Sequence, residues 1–356
     1  MSKIYRFIAI VLNSLHQNPY YLIDYVIQQK NNKNVSLIVK QNEDIIVSIN
    51  PNEIMPPASM AKLLIAIEFA KQCEENKINP NEDVKLSELD LYFIKGTDGG
   101  AHEKWLKSLN NKNMIQDGRV KLEEIARGMI RYSSNANSDY LIERLGIDNI
   151  NQTIKQLGLV EHQEMSYYTA SIYVAGLIQK RFQLTEGETL KVLKSMSKDE
   201  FKKYTIEVHN LMKKGSEFQK LNIPLLAEEE IQKICFEYFS GGSAGDYLKI
   251  IEKLNRKDYF SKTQQQQQQL DRIIESPSVN EKEFIHTGQK SGNTESILTN
   301  SLYVKDSKGN YIELVFMAKE LEYIDMIKLN KGIDEFRWMI MKSRKFREQL
   351  VEKVTE

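Results

Sequence analysis

The chain's 356 residues suffice for one large domain or two ordinary ones, with ample material for a core. Lys plus Arg and Asp plus Glu both number 49, so the formal charge is zero, and there is no electrostatic reason to expect a nucleic acid or an anionic membrane as partner. Two cysteines, Cys73 and Cys235, make no disulfide framework and read as buried thiols; without a Cys-x-x-Cys or His-Glu-x-x-His pattern, neither a metal nor another cofactor is expected.

Taken in chain order, "MSKIYRFIAIVLNSLHQN" places Lys3 and Arg6 before an apolar run, Phe7 to Leu12, that is short for a secretory signal and far too short to span a bilayer. Residues 1–19 therefore read as an N-terminal helical extension packed on the domain, or else as a weak leader. The poor leader favours the cytoplasm. Tyr21 to Gln29 is a short helix. Val35–Val39 and Ile45–Ile49 are two β-rich runs across the polar "KQNED", a hairpin pattern. Pro56-Pro57 then stops the chain and suits a helix start.

From Ser59 to about Arg272 the signals are mostly helical, in stretches such as "LLIAIEFAKQCEEN", "LEEIARGMIRY" and "ASIYVAGLIQKRF", with glycine-rich breaks at 96–100 and 241–245. The Gln264–Gln269 run reads as a solvated helix segment or loop. Strands return at Phe284–His286, Ile297–Val304 and Tyr311–Ala318, and Glu320 to Val354 closes the chain as helix. The tail "KSRKFREQLVEKVTE" reads as a solvated helix face.

The expected class is α/β (α+β): an antiparallel sheet built from N- and C-terminal strands, flanked by helices, plus an inserted all-helical domain. The sheet domain would comprise 20–58 and 284–356, and the helical domain 59–283.

Three short motifs carry chemistry. In "PPASMAKLL", Ser59 and Lys62 lie three residues apart at a helix start, which puts a hydroxyl and an amine on one face, a nucleophile beside a base. In "RYSSNANSDYL", Ser133 can shuttle a proton and Asn135 can hold a substrate carbonyl, although a cluster of Ser and Asn is equally an ordinary helix cap. In "HTGQKSGNTES", Lys290 and Ser291 can bind a carboxylate from a strand edge while Gly292 lets substrate approach the backbone; the plain alternative is a polar β-turn. "GTDGGAHEKW" (Gly96 to Trp105) either borders a cleft or is a structural loop packed by Trp105. His16, His162 and His209 show no partner spacing and read as surface or core residues.

Each motif alone is common; the ordered set is not. In this order they resemble the penicillin-recognising serine enzymes, the superfamily of class A β-lactamases and D-alanyl-D-alanine peptidases, whose signature is S-x-x-K, S-D-N and K-T-G. "VKLEEIARGMIRYSSNANSDYLIERLG" is similar to the class A segment around its S-D-N loop, and Asn300 in "LTNSLYV" falls where that family has a Thr-Asn-Asp strand start. The resemblance implies a β-lactamase/transpeptidase-like fold, Ser59 as nucleophile, Lys62 as base, Ser133 as proton relay, and Lys290 easing that transfer. Asn135, Ser291, Gly292 and Asn293 would bind substrate, with the backbone N–H groups of Ser59 and Asn293 as the oxyanion site. The substrate would be a small molecule or peptide, a β-lactam or D-Ala peptide by precedent, outside the cytoplasm. The sequence sets no oligomeric state.

Two features depart from the family. Ser134 stands where S-D-N has its acid, which braces the loop. The Glu-x-x-x-Asn loop that activates the deacylating water has no counterpart; "LGLVEHQEMSYYTAS" offers only Glu161 and Glu164. A peptidase- or esterase-type hydrolase is therefore expected rather than an efficient β-lactamase, with a non-turnover penicillin-binding sensor as the alternative. His286-Thr287-Gly288 also fits a variant third motif, but Lys290 places Asn300 at the family's distance downstream.

Overall fold

The computed structural model describes residues 18–258, 264–275 and 283–355. The extension or leader expected over 1–19 falls, but for its last two residues, outside the described residues. Along the chain run helix α1 (Pro19–Gln29), strands β1 (Val35–Gln41), β2 (Asp44–Ile49) and β3 (Ile54–Met55), helix α2 (Lys62–Glu74), β4 (Asp83–Lys85), α3 (Leu86–Leu89), α4 (Ala101–Asn111), β5 (Arg119–Lys121), α5 (Leu122–Arg131), α6 (Asn135–Leu145), α7 (Ile147–Gln156) and α8 (Tyr168–Phe182). There follow α9 (Glu186–Ser195), α10 (Lys198–Met212), α11 (Ser216–Lys220), α12 (Glu229–Glu237), β6 (Gly242–Ser243), α13 (Ala244–Arg256), α14 (Gln264–Ile274), β7 (Phe284–Asn293), β8 (Leu298–Asp306), β9 (Tyr311–Ala318), α15 (Tyr323–Lys342) and α16 (Arg344–Thr355). They fall into two compact units.

Of the described residues, the first unit comprises 18–58, 242–256 and 283–355. Its sheet has the order β2-β1-β9-β8-β7, every neighbouring pair antiparallel. β9 lies between β1 and β8, so the N-terminal hairpin is completed by C-terminal strands. The hairpin turns at Asn42, whose φ of 56° suits a short polar side chain. One face buries Leu37, Val39, Leu302, Leu314 and Phe316 against Leu22 and Val26 of α1, Phe336 and Ile340 of α15, and Phe346 and Leu350 of α16. Burying each such side chain is worth about 1.5–3 kcal/mol.

α13 packs on β1, β8 and β9 and belongs to this unit, although its helical period alone groups it with the middle of the chain. Asn255 of α13 donates to the Val304 carbonyl (3.0 Å) and to Glu313 Oε1 (2.6 Å). Burial pushes the Glu313 carboxyl up to about 7.

Two expectations for the C-terminal region change. The closing helix is broken at Ser343, whose hydroxyl accepts the Phe346 N–H (3.1 Å) and so caps α16. The charged tail is also not merely a solvated face: Phe346, Leu350 and Val354 recur every fourth residue and are buried, which docks α16 on the core.

The second unit, residues 59–241 and 257–275, is helical apart from the short β4–β5 hairpin. At its centre is α2, buried continuously from Lys62 to Ala70 and packed by α5, α6, α7 and α14. Such a helix is apolar nearly all round, and it is the element from which the rest of the unit is hung. Its buried acid, Glu68, accepts from Thr153 (2.6 Å) and Gln72 (2.8 Å). The glutamine run is helical rather than loop, and Gln269 is buried and donates to Glu123 (3.0 Å), so it is not wholly solvated. Cys235 is buried and Cys73 partly so, and burial pushes both thiols up to about 12. Among the described residues no helix is long and apolar enough to cross a membrane.

Candidate active site

The path into the first motif is tight. After β3 and the two prolines, Ala58 takes φ 48°, a left-handed conformation that costs an L-residue roughly 1–2 kcal/mol, directly before Ser59. Ser59 is half-buried in a 3-10 turn, Ala58–Ala61, that runs straight into α2 at Lys62. Proline and a tight turn thus set the entry, and the apolar run behind Lys62 buries the helix that carries it.

Lys62 is fully buried, and its amine is held by the second motif. Nζ donates to the Ser133 carbonyl (2.6 Å) and to Asn135 Oδ1 (2.7 Å), lies 3.5 Å from Ser133 Oγ, and sits 4.8 Å from the centre of the Tyr168 ring. The three residues singled out in the sequence, Lys62, Ser133 and Asn135, are therefore brought together. Ser133 adopts φ 70°, which turns its carbonyl toward the amine, and Ser134 caps α6 by accepting the Asn137 N–H (3.2 Å).

Three further residues support this arrangement; Asp139 and Tyr168 carried no signal in the sequence, and His102 stood only within the segment read as bordering a cleft or as a packed loop. Asp139, one turn into α6 from Asn135, is fully buried; its two oxygens accept the N–H groups of Tyr168 (2.7 Å) and Thr169 (2.6 Å), so it fixes the start of α8 and the ring that covers Lys62. Burial raises its carboxyl to about 6, against the pull of those hydrogen bonds and of Lys62. Tyr168 itself is buried, and its hydroxyl has no partner among the described residues. His102, in the glycine-rich segment, reaches Ser134 (2.9 Å). Trp105 is buried in α4, as the packed-loop reading required, although it stands on a helix. A single sequence offers no signal for these contacts, because each joins segments distant along the chain.

The third motif lies in the first unit, on edge strand β7 rather than in a turn. Lys290 is buried, donates to the Ser291 carbonyl (2.7 Å), and is pulled down to about 7 by desolvation. Ser291 and Asn293 are exposed and Gly292 is buried. β8 braces the strand: Ser301 Oγ donates to the Lys290 carbonyl (3.1 Å), and Thr299 Oγ1 lies within reach of the carbonyls of Gly292 (3.2 Å) and Pro57 (2.8 Å). Asn300 pairs with Ser291, is 1% exposed, and neither polar atom of its side chain has a partner among the described residues.

The competing His286-Thr287-Gly288 triplet is taken up by packing. The His286 ring lies 2.9 Å from Asn255 Oδ1, and a Cβ at Gly288 would meet the Tyr303 ring at 2.1 Å. Of the two candidate acids, Glu164 is exposed and paired with Lys202, which pulls its carboxyl down; Glu161 is half-buried. His209 stacks between Tyr92 and Tyr167 and bonds Glu143 (2.9 Å), while His162 is buried beside the Gln163 carbonyl (2.7 Å). Among the described residues no group of three or more His, Cys, Asp or Glu could hold a metal ion.

An antiparallel sheet closed by strands from both ends of the chain, a helical unit opening on S-x-x-K, and an ordered S-x-N and K-S-G define a penicillin-recognising serine hydrolase of the β-lactamase fold. The chain belongs to the β-lactamase enzyme family, whose sequence model matches residues 21–325. Its fold is similar to a β-lactamase from Sphaerobacter thermophilus (12% identity, 90% of this chain and 97% of that one, TM-score 0.56). It is also similar to a class A β-lactamase from Bacteroides cellulosilyticus (15%, 92% and 100%, TM-score 0.51) and to a PBP-A variant held as an acyl-enzyme with penicillin G (14%, 91% and 98%, TM-score 0.50). At such identities the likeness is one of fold. No curated protein matches the chain.

Proposed function

We propose that the protein is a serine acyl-enzyme hydrolase acting on an amide or ester, with Ser59 as nucleophile and Lys62 as base. The observation that carries this reading is the buried Lys62 amine, three residues after Ser59, in contact with both Ser133 and Asn135. Ser59 Oγ attacks the carbonyl carbon and gives its proton to Lys62. The oxyanion is held by the backbone N–H groups of Ser59 and Asn293. As the C–N or C–O bond breaks, Ser133 passes its proton to the leaving group and takes one from Lys62, which returns the amine to its neutral form. Water then cleaves the acyl-serine ester, releasing the acid and restoring Ser59. Asn135 positions the substrate amide; Lys290 and Ser291 receive its carboxylate, and Gly292 admits it to the strand edge.

Deacylation is the slow half. A water needs a base to take its proton, yet both oxygens of Asp139 are engaged by backbone N–H groups, Glu164 is paired with Lys202, and Glu161 stands outside any Glu-x-x-x-Asn pattern. This supports a peptidase- or esterase-type enzyme over an efficient β-lactamase. It equally favours a second reading, a penicillin-binding sensor that acylates without turnover. Intact-mass spectrometry with benzylpenicillin and, separately, a fluorophosphonate tests the chemistry: one adduct on the wild type and none on Ser59→Ala is expected. Adducts that persist for hours point to the sensor, loss within seconds to a true β-lactamase. A Ser59→Ala protein that still turns over substrate overturns the assignment.

A further inference from the structure

The turn of the second motif helps to place Lys62, since the Ser133 carbonyl and the Asn135 amide both accept from its amine. That turn contains a serine at φ 70°, a state that persists where surrounding contacts over-determine it. The residue between them, Ser134, is a neutral hydroxyl where the superfamily signature has an acid. Something else must do the bracing.

The bracing comes from the first turn of α4, directly after the glycine-rich segment. Asp98 accepts the N–H groups of Ala101 (3.0 Å) and His102 (3.1 Å), which pins the start of that helix. His102 is 1% exposed, packed against Phe93 and Trp105, with ring centroids at 4.7 and 5.4 Å. Its Nδ1 lies 2.9 Å from Ser134 Oγ and 3.2 Å from Asn137 Oδ1, and those two oxygens are 3.0 Å apart. Asn137 donates its amide hydrogen to the Ile125 carbonyl (3.0 Å), which orients its oxygen toward the histidine, and an oxygen of that kind can only accept. Nδ1 therefore carries the proton. Gly128 makes room: a Cβ there would lie 2.4 Å from Asn137 Nδ2 and 2.5 Å from Trp105 Nε1.

We propose that His102 is the positioning residue of the Lys62 site: through Ser134 and Asn137 it locks the turn that presents Ser133 and Asn135 to the amine, in place of the acid of the related motif. Burial lowers the imidazole's proton affinity, so a neutral ring with one Nδ1 proton is the form that meets these two acceptors at neutral pH. His102 touches no reacting atom.

This inference rests on the reading of Ser59 and Lys62 as an acylating pair, and the experiment separates the two. Single-turnover acylation by benzylpenicillin is resolved into a non-covalent binding constant and an acylation rate constant for wild type, His102→Ala, His102→Asn, Ser134→Ala and the double variant His102→Ala/Ser134→Ala. His102→Ala is expected to lower the rate constant about 10- to 100-fold with binding unchanged, as a misplacement of about 1 Å does. His102→Asn, which puts an amide donor near the Nδ1 position, is expected to recover most of that loss. In the Ser134→Ala background the further cost of His102→Ala should fall well below its cost in the wild type, the remainder being the His102–Asn137 contact. Additive losses, no rescue by Asn, or a His102→Ala protein with the native rate constant overturns the proposal. If His102→Ala does not fold, the Asn and Ser134→Ala variants decide it by the same rate constants, Asn staying near wild type and Ser134→Ala losing at least tenfold. If wild type is not acylated at all, the proposed function fails, and amide hydrogen exchange at Ser133–Asn135 still judges the brace: faster in His102→Ala and normal in His102→Asn supports it, unchanged in both overturns it.

Discussion

Two of the buried lysines, Lys62 in the helical unit and Lys290 on the sheet edge, keep different company. Lys62 gives hydrogen bonds to a backbone carbonyl and a side-chain amide oxygen, and an aromatic ring covers it. Lys290 donates to the Ser291 carbonyl, and desolvation pulls it down to about 7. The comparison teaches that burial alone does not set a cation's role. Lys62 is held by oriented acceptors of the second motif, whereas Lys290 can change its charge near neutral pH.

The largest effect that tests this contrast is the loss of Lys62. Lys62→Met should lower the acylation rate constant by about 10²–10⁴-fold, the usual weight of a positioned base, with little change in binding of a carboxylate ligand. Stopped-flow acylation with a chromogenic lactam measures it. A loss under tenfold would remove Lys62 from the chemistry.

Next comes the carboxylate beneath the Lys62 site. Asp139 is raised to about 6 when folded, above its unfolded value of 3.8, so its contribution to stability is complete below the unfolded value and is lost as pH rises through about 6. The loss is about 3 kcal/mol for a shift of this size. Relative to Asp139→Asn, the wild type should therefore be more stable at pH 4 than at pH 7 by up to that amount, read from urea unfolding at both pH values. A difference that does not change with pH would mean the acid stays ionised throughout.

Lys290 should show a dependence of the same direction, but in binding rather than stability. Its amine is charged below about 7 and neutral above, so affinity for a carboxylate ligand should fall by up to about tenfold per pH unit above that point. Lys290→Met should bind weakly and evenly from pH 6 to pH 9, and titration calorimetry makes the comparison. An equally flat wild type would break the contrast between the lysines.

The smallest expected effect is at Asn300, whose buried amide has neither polar atom partnered among the described residues. Asn300→Leu should stabilise the protein by about 1–2 kcal/mol, because it removes an uncompensated desolvation cost. Its urea midpoint should rise. A fall would show that the amide is satisfied in solution.

Much of this molecule can be read from local pattern. The hairpin at β1 and β2, the strands β8 and β9, and the helices α2, α5, α6 and α8 follow from apolar spacing and turn residues, because burial of an apolar face rewards a period that is written along the chain. The tail misleads for a related reason. Its charges are many, and only the spacing of Phe346, Leu350 and Val354 shows that one side is buried.

β7 is the harder case. "GQKSGN" is a poor strand by composition, and it is held extended by its antiparallel ladder to β8, the next strand along the chain. Lys62, Ser133 and Asn135 could be named from motif and spacing. That Asp139, Tyr168 and His102 surround them could not, since a buried hydrogen bond depends on which distant segments meet, and a lone Asp or His looks the same whether it is partnered or solvated. The sequence by itself thus determined the elements, the family signature and the residue types fit for acyl transfer, all encoded by near neighbours. Only the tertiary structure decided which polar groups lose water and what replaces it, and desolvation, a property of the packed whole, is what sets the charge and the placement of those groups.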